Sequence, residues 1–199
     1  MNQPKRIKSG PIIGIAGHAR SGKDKLGQEW ASLLRENGIE ANCYAFADAL
    51  KASTDAFLLK ELKISAYTED PEEKLIIRPF LVFWGTEIMR KIDDEVWVNR
   101  LTDQISCRGI NIITDLRFPN ELKWINDNDG HLFMINRVGV GPANESEKTN
   151  NTILCKKIPN SLTLGEIGSD KIYRQVAAKQ LSCIIPNKTL LKWQATYPL

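Results

Sequence analysis

With 199 residues, the chain has the length of a single domain and is long enough to bury a hydrophobic core. Its 27 basic and 24 acidic residues leave a formal charge of +3, which creates no concentrated basic field and argues against stable nucleic-acid binding. No apolar stretch approaches the roughly 20 residues of a membrane span, and the polar N-terminus lacks the apolar core of a secretory signal, so we expect a cytoplasmic protein without a membrane partner.

The first predicted elements are a buried strand, a glycine-containing loop and a helix. Residues 12–16 are apolar, and residues 17–23 match the spacing G-x-x-x-x-G-K of a phosphate-binding loop. The glycines let successive N–H groups face one centre, while the lysine and the N-terminus of the next helix add positive charge. We therefore predict nucleotide binding rather than a turn that only connects two elements. The predicted binding residues are Gly17, His18, Ala19, Arg20, Ser21, Gly22, Lys23 and Asp24.

Asp24 stands where this loop motif ordinarily has Ser or Thr. A hydroxyl there would bind magnesium as a neutral oxygen, whereas a carboxylate holds the metal directly or through water and brings negative charge towards the phosphates. Arg20 and Lys23 can offset that charge. We therefore predict that Asp24 is a metal ligand.

A second strand is predicted at residues 40–46, followed by a helix from residue 47. Asp48 and Lys51 then lie near the carboxyl end of a strand, which is the edge where open α/β sheets bind ligands. They are candidates for the second substrate. The alternative is an ordinary first-turn Asp beside a solvated Lys.

Residues 60–70 are polar and predict a connector or a flexible flap, and Pro71 then begins a long helical stretch with acidic residues in its first turn. Gly85 is expected to weaken or kink this helix. Its apolar stripe is most simply core packing, and Glu87 forms an ordinary surface pair with Arg90 or Lys91 in that interpretation. A further helix is expected after Asp93-Asp94-Glu95, ending near residue 108.

A third strand is predicted at residues 110–115 and ends in Asp115. An acid at a strand tip beside a phosphate loop can hold magnesium or its water, although it can also serve only as a strand cap; we favour the metal role. Pro119 suits a helix start. A fourth strand at residues 131–135 leads to Arg137.

Residues 138–168 are predicted to form a lid, because Gly, Pro, Asn, Ser and Glu are frequent at residues 138–160 and kinases close a mobile segment over the phosphates. A short element is predicted at residues 162–167. Beyond it we expect a helix at 170–182, a strand at 183–185 and a terminal turn at 190–193. The cysteines are far apart and form no C-x-x-C pair, so we expect reduced, mostly buried thiols. They are Cys43, Cys107, Cys155 and Cys183.

Several of these segments together resemble bacteriophage deoxynucleoside monophosphate kinases, in the same order, from residue 12 to residue 137. They are Ser21-Gly22-Lys23-Asp24, Phe46-Ala47-Asp48-Ala49-Leu50-Lys51, Arg78, Trp84-Gly85-Thr86-Glu87, Arg90, Trp97-Val98 and Asp115-Leu116-Arg117-Phe118-Pro119-Asn120-Glu121. Weaker similarity occurs at residues 145–147 and 185–190, and residues 148–181 show none. An aspartate after the loop lysine is a feature of that family.

The resemblance implies an α/β fold of the P-loop NTPase class, a three-layer sandwich of the nucleoside monophosphate kinase type with a parallel sheet of about five strands. It implies transfer of the ATP γ-phosphoryl group to a deoxynucleoside monophosphate, with Mg²⁺. The implied catalytic residues are Lys23, Asp115, Arg117 and Arg137, and the metal residues are Asp24 and Asp115. The implied acceptor residues are Asp48, Lys51, Arg78, Trp84, Glu87 and Arg90.

We thus expect one kinase domain over residues 1–199, with an acceptor-binding helical region at 47–108 and the lid at 138–168. No catalytic role is expected for His18 or His131, because phosphoryl transfer needs no protein nucleophile. A kinase for another small metabolite such as dephospho-coenzyme A, a kinase for a modified DNA base, and a non-catalytic nucleotide-binding regulator remain alternatives. The sequence leaves open the accepted bases, the discrimination of ribose from deoxyribose, and whether the chain forms a homodimer.

Overall fold

The computed structural model describes residues 9–164 together with Arg174 and Ala178. The elements of residues 9–164 follow one another in this order: β1 (Ile12–Gly17), α1 (Lys23–Glu36), β2 (Ala41–Tyr44), α2 (Phe46–Leu62), α3 (Pro71–Val82), a π-helical segment (Phe83–Met89), α4 (Arg90–Ile92), α5 (Val96–Thr102), β3 (Ile110–Leu116), α6 (Pro119–Asp127), β4 (His131–Arg137), α7 (Glu145–Lys157) and β5 (Asn160–Leu164).

The strands form a five-stranded parallel sheet in the order β2-β3-β1-β4-β5, which confirms the predicted α/β fold class. The strand β1 lies at the centre and pairs in parallel with β3 and β4, while β4 pairs in parallel with β5. Every residue of β1 and β3 is buried, as expected for strands covered on both faces by helices. Gly17 is paired with Ile135, so the phosphate loop leaves the sheet beside the end of β4.

The helix α1 covers the sheet with an apolar stripe. Leu26, Trp30 and Leu34 recur every four residues, so they lie on one face and are buried against the sheet core. The Trp30 ring meets the Phe133 ring of β4 edge-on, with centroids 5.5 Å apart. The helix ends at Glu36 with Asn37 as its C-cap, and Gly38 then adopts a φ of 75°, a left-handed conformation that favours glycine after a helix.

The described residues divide into two compact units. The second unit, Tyr44–Ile105, contains α2 to α5, and the first contains the chain on either side of it. Within the second unit, Leu58, Ile64 and Ile77 form a small buried core. The expected disturbance at Gly85 is present as the π-helical segment.

Several expected boundaries differ from the structure. The strand predicted over residues 40–46 is shorter, and the helix α5 ends at Thr102 rather than near residue 108. Residues 145–157 form the helix α7, which was not predicted. The predicted lid segment therefore contains α7 and β5, and since β5 pairs with β4, a lid would be limited to the residues before β5. The single domain, the acceptor region and the lid remain predictions.

For the three cysteines that the structure describes, the predicted burial is wrong, whereas the thiols are unpaired as predicted. Cys43, Cys107 and Cys155 are free and exposed. Cys183 and the elements predicted after residue 169 lie outside the described residues, apart from Arg174 and Ala178. Within residues 9–164, no helix combines the length and the apolar character that a membrane crossing requires.

Candidate phosphate-binding site

The loop between β1 and α1 has the backbone geometry of an anion cradle. Gly17 and Gly22 adopt φ values of 150° and 93°, and Arg20 adopts a φ of 65°, so the chain curls back on itself. A Cβ atom on Gly17 would lie 2.5 Å from the Ile135 carbonyl oxygen, so the close approach of β4 requires glycine. Gly22 is the N-cap of α1, which places the positive end of the helix dipole at the loop.

The Lys23 side chain, at the start of α1, is buried against this loop. Its ammonium donates a hydrogen bond to the His18 carbonyl oxygen at 3.0 Å, and the Ser21 N–H donates to the same oxygen at 3.2 Å. Only 6% of Lys23 is exposed. Burial lowers the pKa of Lys23, and the positive charge of Arg117 lowers it further, whereas Asp24, Asp115 and Glu147 raise it. Lys23 and Arg117 supply positive charge beside the loop, and the three carboxylates offset part of that charge.

The cradle fits the phosphates of a nucleotide. Within the described part of the chain, the buried Ser21 Oγ has no hydrogen-bond partner, and it lies 3.0 Å from where a Gly17 Cβ atom would be. An orphaned hydroxyl beside curled N–H groups and a buried ammonium is a donor set suited to phosphate oxygens. The binding role of residues 17–24 remains a prediction.

The two predicted metal residues are carboxylates, Asp24 in the first turn of α1 and Asp115 in β3. Asp24 is exposed and accepts a hydrogen bond from the Thr114 Oγ1 of β3 at 2.7 Å. Asp115, the next residue of β3, is buried. In the described part of the chain, no group of three or more His, Cys, Asp or Glu side chains could hold a metal. Two carboxylates still fit Mg²⁺, which protein sites bind through one or two carboxylates with phosphates and water.

The residues after β3 are held by a buried acid that the sequence interpretation did not single out. Glu121 is buried, and its Oε2 accepts hydrogen bonds from the N–H groups of Arg117 and Phe118 at 2.8 and 2.9 Å. The signal in the sequence was a Pro-Asn-Glu helix start, because an acid at that position reaches back to the preceding N–H groups. Glu121 therefore fixes the turn that carries Arg117.

Arg137 is the last residue of β4. It follows Ile135, the partner of Gly17, by two positions, so its backbone lies at the same sheet edge as the loop. The sequence predicted a fourth strand at residues 131–135 that leads to Arg137, and in the structure this strand extends to Arg137 itself.

The helix α7 also reaches the loop, which the sequence did not indicate beyond the weak similarity at residues 145–147. Glu147 Oε1 accepts a hydrogen bond from the Ala19 N–H at 2.8 Å. Asn151 Nδ2 lies 2.7 Å from His18 Nδ1. Both contacts join the loop to residues more than 120 positions away.

The predicted acceptor residues all lie in the second unit. Asp48 and Lys51 are 4.0 Å apart, and the Lys51 ammonium lies 5.5 Å from the centroid of the Tyr67 ring. Arg78 is exposed on α3. Glu87 forms an ion pair with Lys91 at 2.8 Å, which agrees with the ordinary surface pair considered from the sequence.

Arg90 and Trp84 are held more tightly. The Arg90 Nη1 donates to the Asp94 carbonyl oxygen at 3.2 Å. Trp84 stacks on Phe80 with the ring planes 13° apart, and within the described residues its buried Nε1 has no hydrogen-bond partner. The acceptor role of these side chains remains a prediction.

No protein-family model matches the chain, and no curated protein matches it. The structure is similar to solved kinases. A shikimate kinase from Acinetobacter baumannii in complex with shikimate is 15% identical, with a TM-score of 0.46 over 89% of this chain and 94% of that chain. A shikimate kinase from Bacteroides thetaiotaomicron is 11% identical, with a TM-score of 0.48 over 87% of this chain and 97% of that chain. An APS kinase from Mycobacterium tuberculosis is 12% identical, with a TM-score of 0.43 over 88% of this chain and 97% of that chain. Function must be judged from the site's own residues.

Proposed function

We propose that this chain is an ATP-dependent kinase that phosphorylates a deoxynucleoside monophosphate to the diphosphate. The observation that carries the kinase assignment is the phosphate loop, with its curled backbone, buried Lys23 and helix N-terminus. The acceptor class is supported by the resemblance of residues 12–137 to bacteriophage deoxynucleoside monophosphate kinases. A phage origin and a role in nucleotide supply in the host cytoplasm belong to the same proposal.

The loop performs the electrostatic part of the reaction. Its N–H groups and Lys23 hold the phosphates of ATP, while Arg117 and Arg137 place positive charge where the phosphoryl group moves. An acceptor phosphate oxygen forms the new bond to the γ-phosphorus as the bond to the ADP oxygen breaks. No protein nucleophile is required.

Asp24 and Asp115 would hold magnesium, which supplies further neutralisation of charge on the donor phosphates. Thr114 donates to the Asp24 carboxylate and so orients it. In place of the Ser or Thr hydroxyl of the usual motif, this chain therefore presents a carboxylate that a neighbouring hydroxyl fixes.

The proposal assigns the acceptor to the second unit. Lys51, Arg78 and Arg90 supply positive charge for its monophosphate, and Trp84 supplies an aromatic surface for its base. A kinase for another small metabolite, such as dephospho-coenzyme A, would use the same phosphate loop, so the acceptor must be identified by assay. A DNA substrate is disfavoured because the charge of +3 gives no basic track.

The test is a panel of acceptors with ATP and Mg²⁺, read out as ADP release. It contains the four deoxynucleoside monophosphates, their ribose counterparts, modified pyrimidine nucleotides and dephospho-coenzyme A, with the Lys23→Met variant as the control. At least one deoxynucleoside monophosphate is expected to raise ADP release at least about tenfold above the ATP-only rate. If only another metabolite does so, the acceptor assignment is wrong, and if none does while ATP binds, the chain is a nucleotide-binding regulator.

A further inference from the structure

Two side chains of α7 contact two consecutive residues of the phosphate loop. Glu147 Oε1 accepts the Ala19 N–H at 2.8 Å, and Asn151 Nδ2 lies 2.7 Å from His18 Nδ1. Residues four apart in a helix lie on the same face, so one face of α7 makes both contacts. The loop is thus joined to α7 at two points.

Glu147 makes a further contact at its other oxygen. Its Oε2 accepts the Ala143 N–H at 2.5 Å, so the carboxylate bridges the phosphate loop and the segment that precedes α7. The N-terminus of α7 is fixed by Asn144, whose Oδ1 accepts the Glu147 N–H at 2.8 Å. The helix itself is anchored by Leu154, which is fully buried. The bridge is therefore attached to a capped and packed helix rather than to a solvated loop.

The surroundings of the Glu147 carboxylate favour its ionised form. Burial by itself would raise the pKa of Glu147, but the N–H groups of Ala143 and Ala19 and the charges of Arg117 and His18 lower it overall. An ionised carboxylate accepts two N–H groups more strongly than a neutral amide would. Its negative charge also opposes phosphate binding, so this placement needs a benefit that outweighs the repulsion.

Preorganisation is such a benefit. A loop that is already ordered loses less conformational entropy when phosphate binds, so its affinity is higher. We propose that Glu147, supported by Asn151, is a positioning residue that clamps the phosphate loop at Ala19 and His18 in its nucleotide-binding conformation. This inference rests on the proposed nucleotide binding by the loop, and it assigns a function to α7.

The experiment measures the dissociation constant of ATP by calorimetry, with and without magnesium, together with the melting temperature without nucleotide. Glu147→Gln loses one of its two acceptor contacts, and Glu147→Asp keeps the charge but is too short to bridge both N–H groups. Both are expected to weaken ATP binding roughly five- to twentyfold. Asn151→Ala should weaken it less, by about two- to fivefold.

The matched control is Glu145→Gln, which removes the same charge from the first turn of the same helix. The Glu145 side chain is 86% exposed and pairs with Lys148 at 3.3 Å. Its ATP affinity should stay within about twofold of the wild type, because exposed pairs contribute little. In assays with an acceptor, Glu147→Gln should raise the KM for ATP while the KM for the acceptor stays unchanged.

Three outcomes would overturn the inference. Unchanged ATP affinity in both Glu147 variants would show that the bridge does not position the loop. A lower melting temperature with unchanged affinity would make Glu147 a structural residue only, and tighter binding in Glu147→Gln would make it an anion that competes with phosphate. Failure of the wild type to bind ATP would instead refute the proposed function itself.

Discussion

Lys23 shows how burial changes the energetics of a binding residue. The motif predicted that Lys23 adds positive charge to the loop, and in the structure its side chain is also buried and donates to the His18 carbonyl oxygen. Burial lowers its pKa, so the charged form of Lys23 is less favourable in the folded protein than in the unfolded chain. The side chain that we propose to bind phosphate therefore costs folding free energy.

Lys23→Met is expected to reduce turnover at least about a hundredfold, because it removes the charge that we propose neutralises the donor phosphates. Its melting temperature should be no lower than that of the wild type, since an apolar chain of similar length replaces a buried cation. Circular dichroism melts and ADP release on one preparation measure both. Turnover near that of the wild type in a folded variant would remove Lys23 from the site.

The same variant has a predictable pH dependence. The folded protein holds the Lys23 proton less tightly than the unfolded chain, so the wild type gains stability as the pH rises through the lowered pKa towards the ordinary value of 10.5. Any stability advantage of Lys23→Met at neutral pH should therefore shrink over that window. Melts of both proteins at increasing pH check the sign, and a growing advantage would contradict it.

A substitution at Asp115 tests whether this residue binds the metal or only caps the strand β3. Asp115→Asn keeps the size and most hydrogen bonds but removes the charge that holds a hydrated cation. We expect ATP binding to survive, while turnover falls at least about tenfold and requires more magnesium. Melting temperature and rates over a magnesium titration measure the two roles separately. Lower stability with an unchanged magnesium requirement would assign Asp115 a structural role only.

At the scale of elements, the close approach of α1 to β3 determines where Asp24 lies. A Cβ atom on Gly27 would overlap Thr114 Cγ2, so only glycine lets the helix approach the strand at this distance. The same approach brings Asp24 within hydrogen-bonding distance of Thr114 Oγ1. Gly27 therefore helps to determine where Asp24, the predicted metal ligand, lies.

Gly27→Ala is expected to destabilise the protein by about 1–3 kcal/mol, because the added methyl group overpacks the helix against β3. The double variant Gly27→Ala with Thr114→Ser should recover most of this loss, since serine lacks the methyl group but keeps the hydroxyl that donates to Asp24. Chemical denaturation of the single and double variants measures the recovery. Additive losses in the double variant would show that another contact limits the approach.

The sequence predicted β1, its loop, α1, β3 and β4 because each has a strong local pattern, an apolar run or a four-residue repeat with clear ends. It missed α7 for the opposite reason. That helix is polar along most of its length, with only Asn151 and Leu154 buried, so its composition resembles a loop and only the capping Asn144 marked its start. The contacts of Glu147 and Asn151 depend on tertiary packing, which no local pattern encodes.

At the scale of the whole molecule, the predicted donor and acceptor residues fall on different compact units. The loop residues and Asp115 belong to the first unit, and the residues from Asp48 to Arg90 belong to the second. A substitution in the second unit should therefore weaken binding of the acceptor without altering the phosphate loop. Arg90 is a poor choice for this test, because its side chain is buried and bonded to the Asp94 carbonyl oxygen.

Arg78 is the better choice, since it is exposed on α3 and its removal should leave the fold intact. Arg78→Ala is expected to raise the KM for the acceptor roughly tenfold or more, because a lost contact to a charged group is worth about 1.5–3 kcal/mol. The KM for ATP should not change.

The matched control is Lys74→Ala, which removes the same charge one helical turn earlier, where Lys74 pairs with Glu69 at 2.7 Å. Initial rates over both substrate concentrations measure the two constants. Equal increases for both substrates would contradict an acceptor role for Arg78, and an equal effect of Lys74→Ala would attribute the loss to the general positive charge of α3.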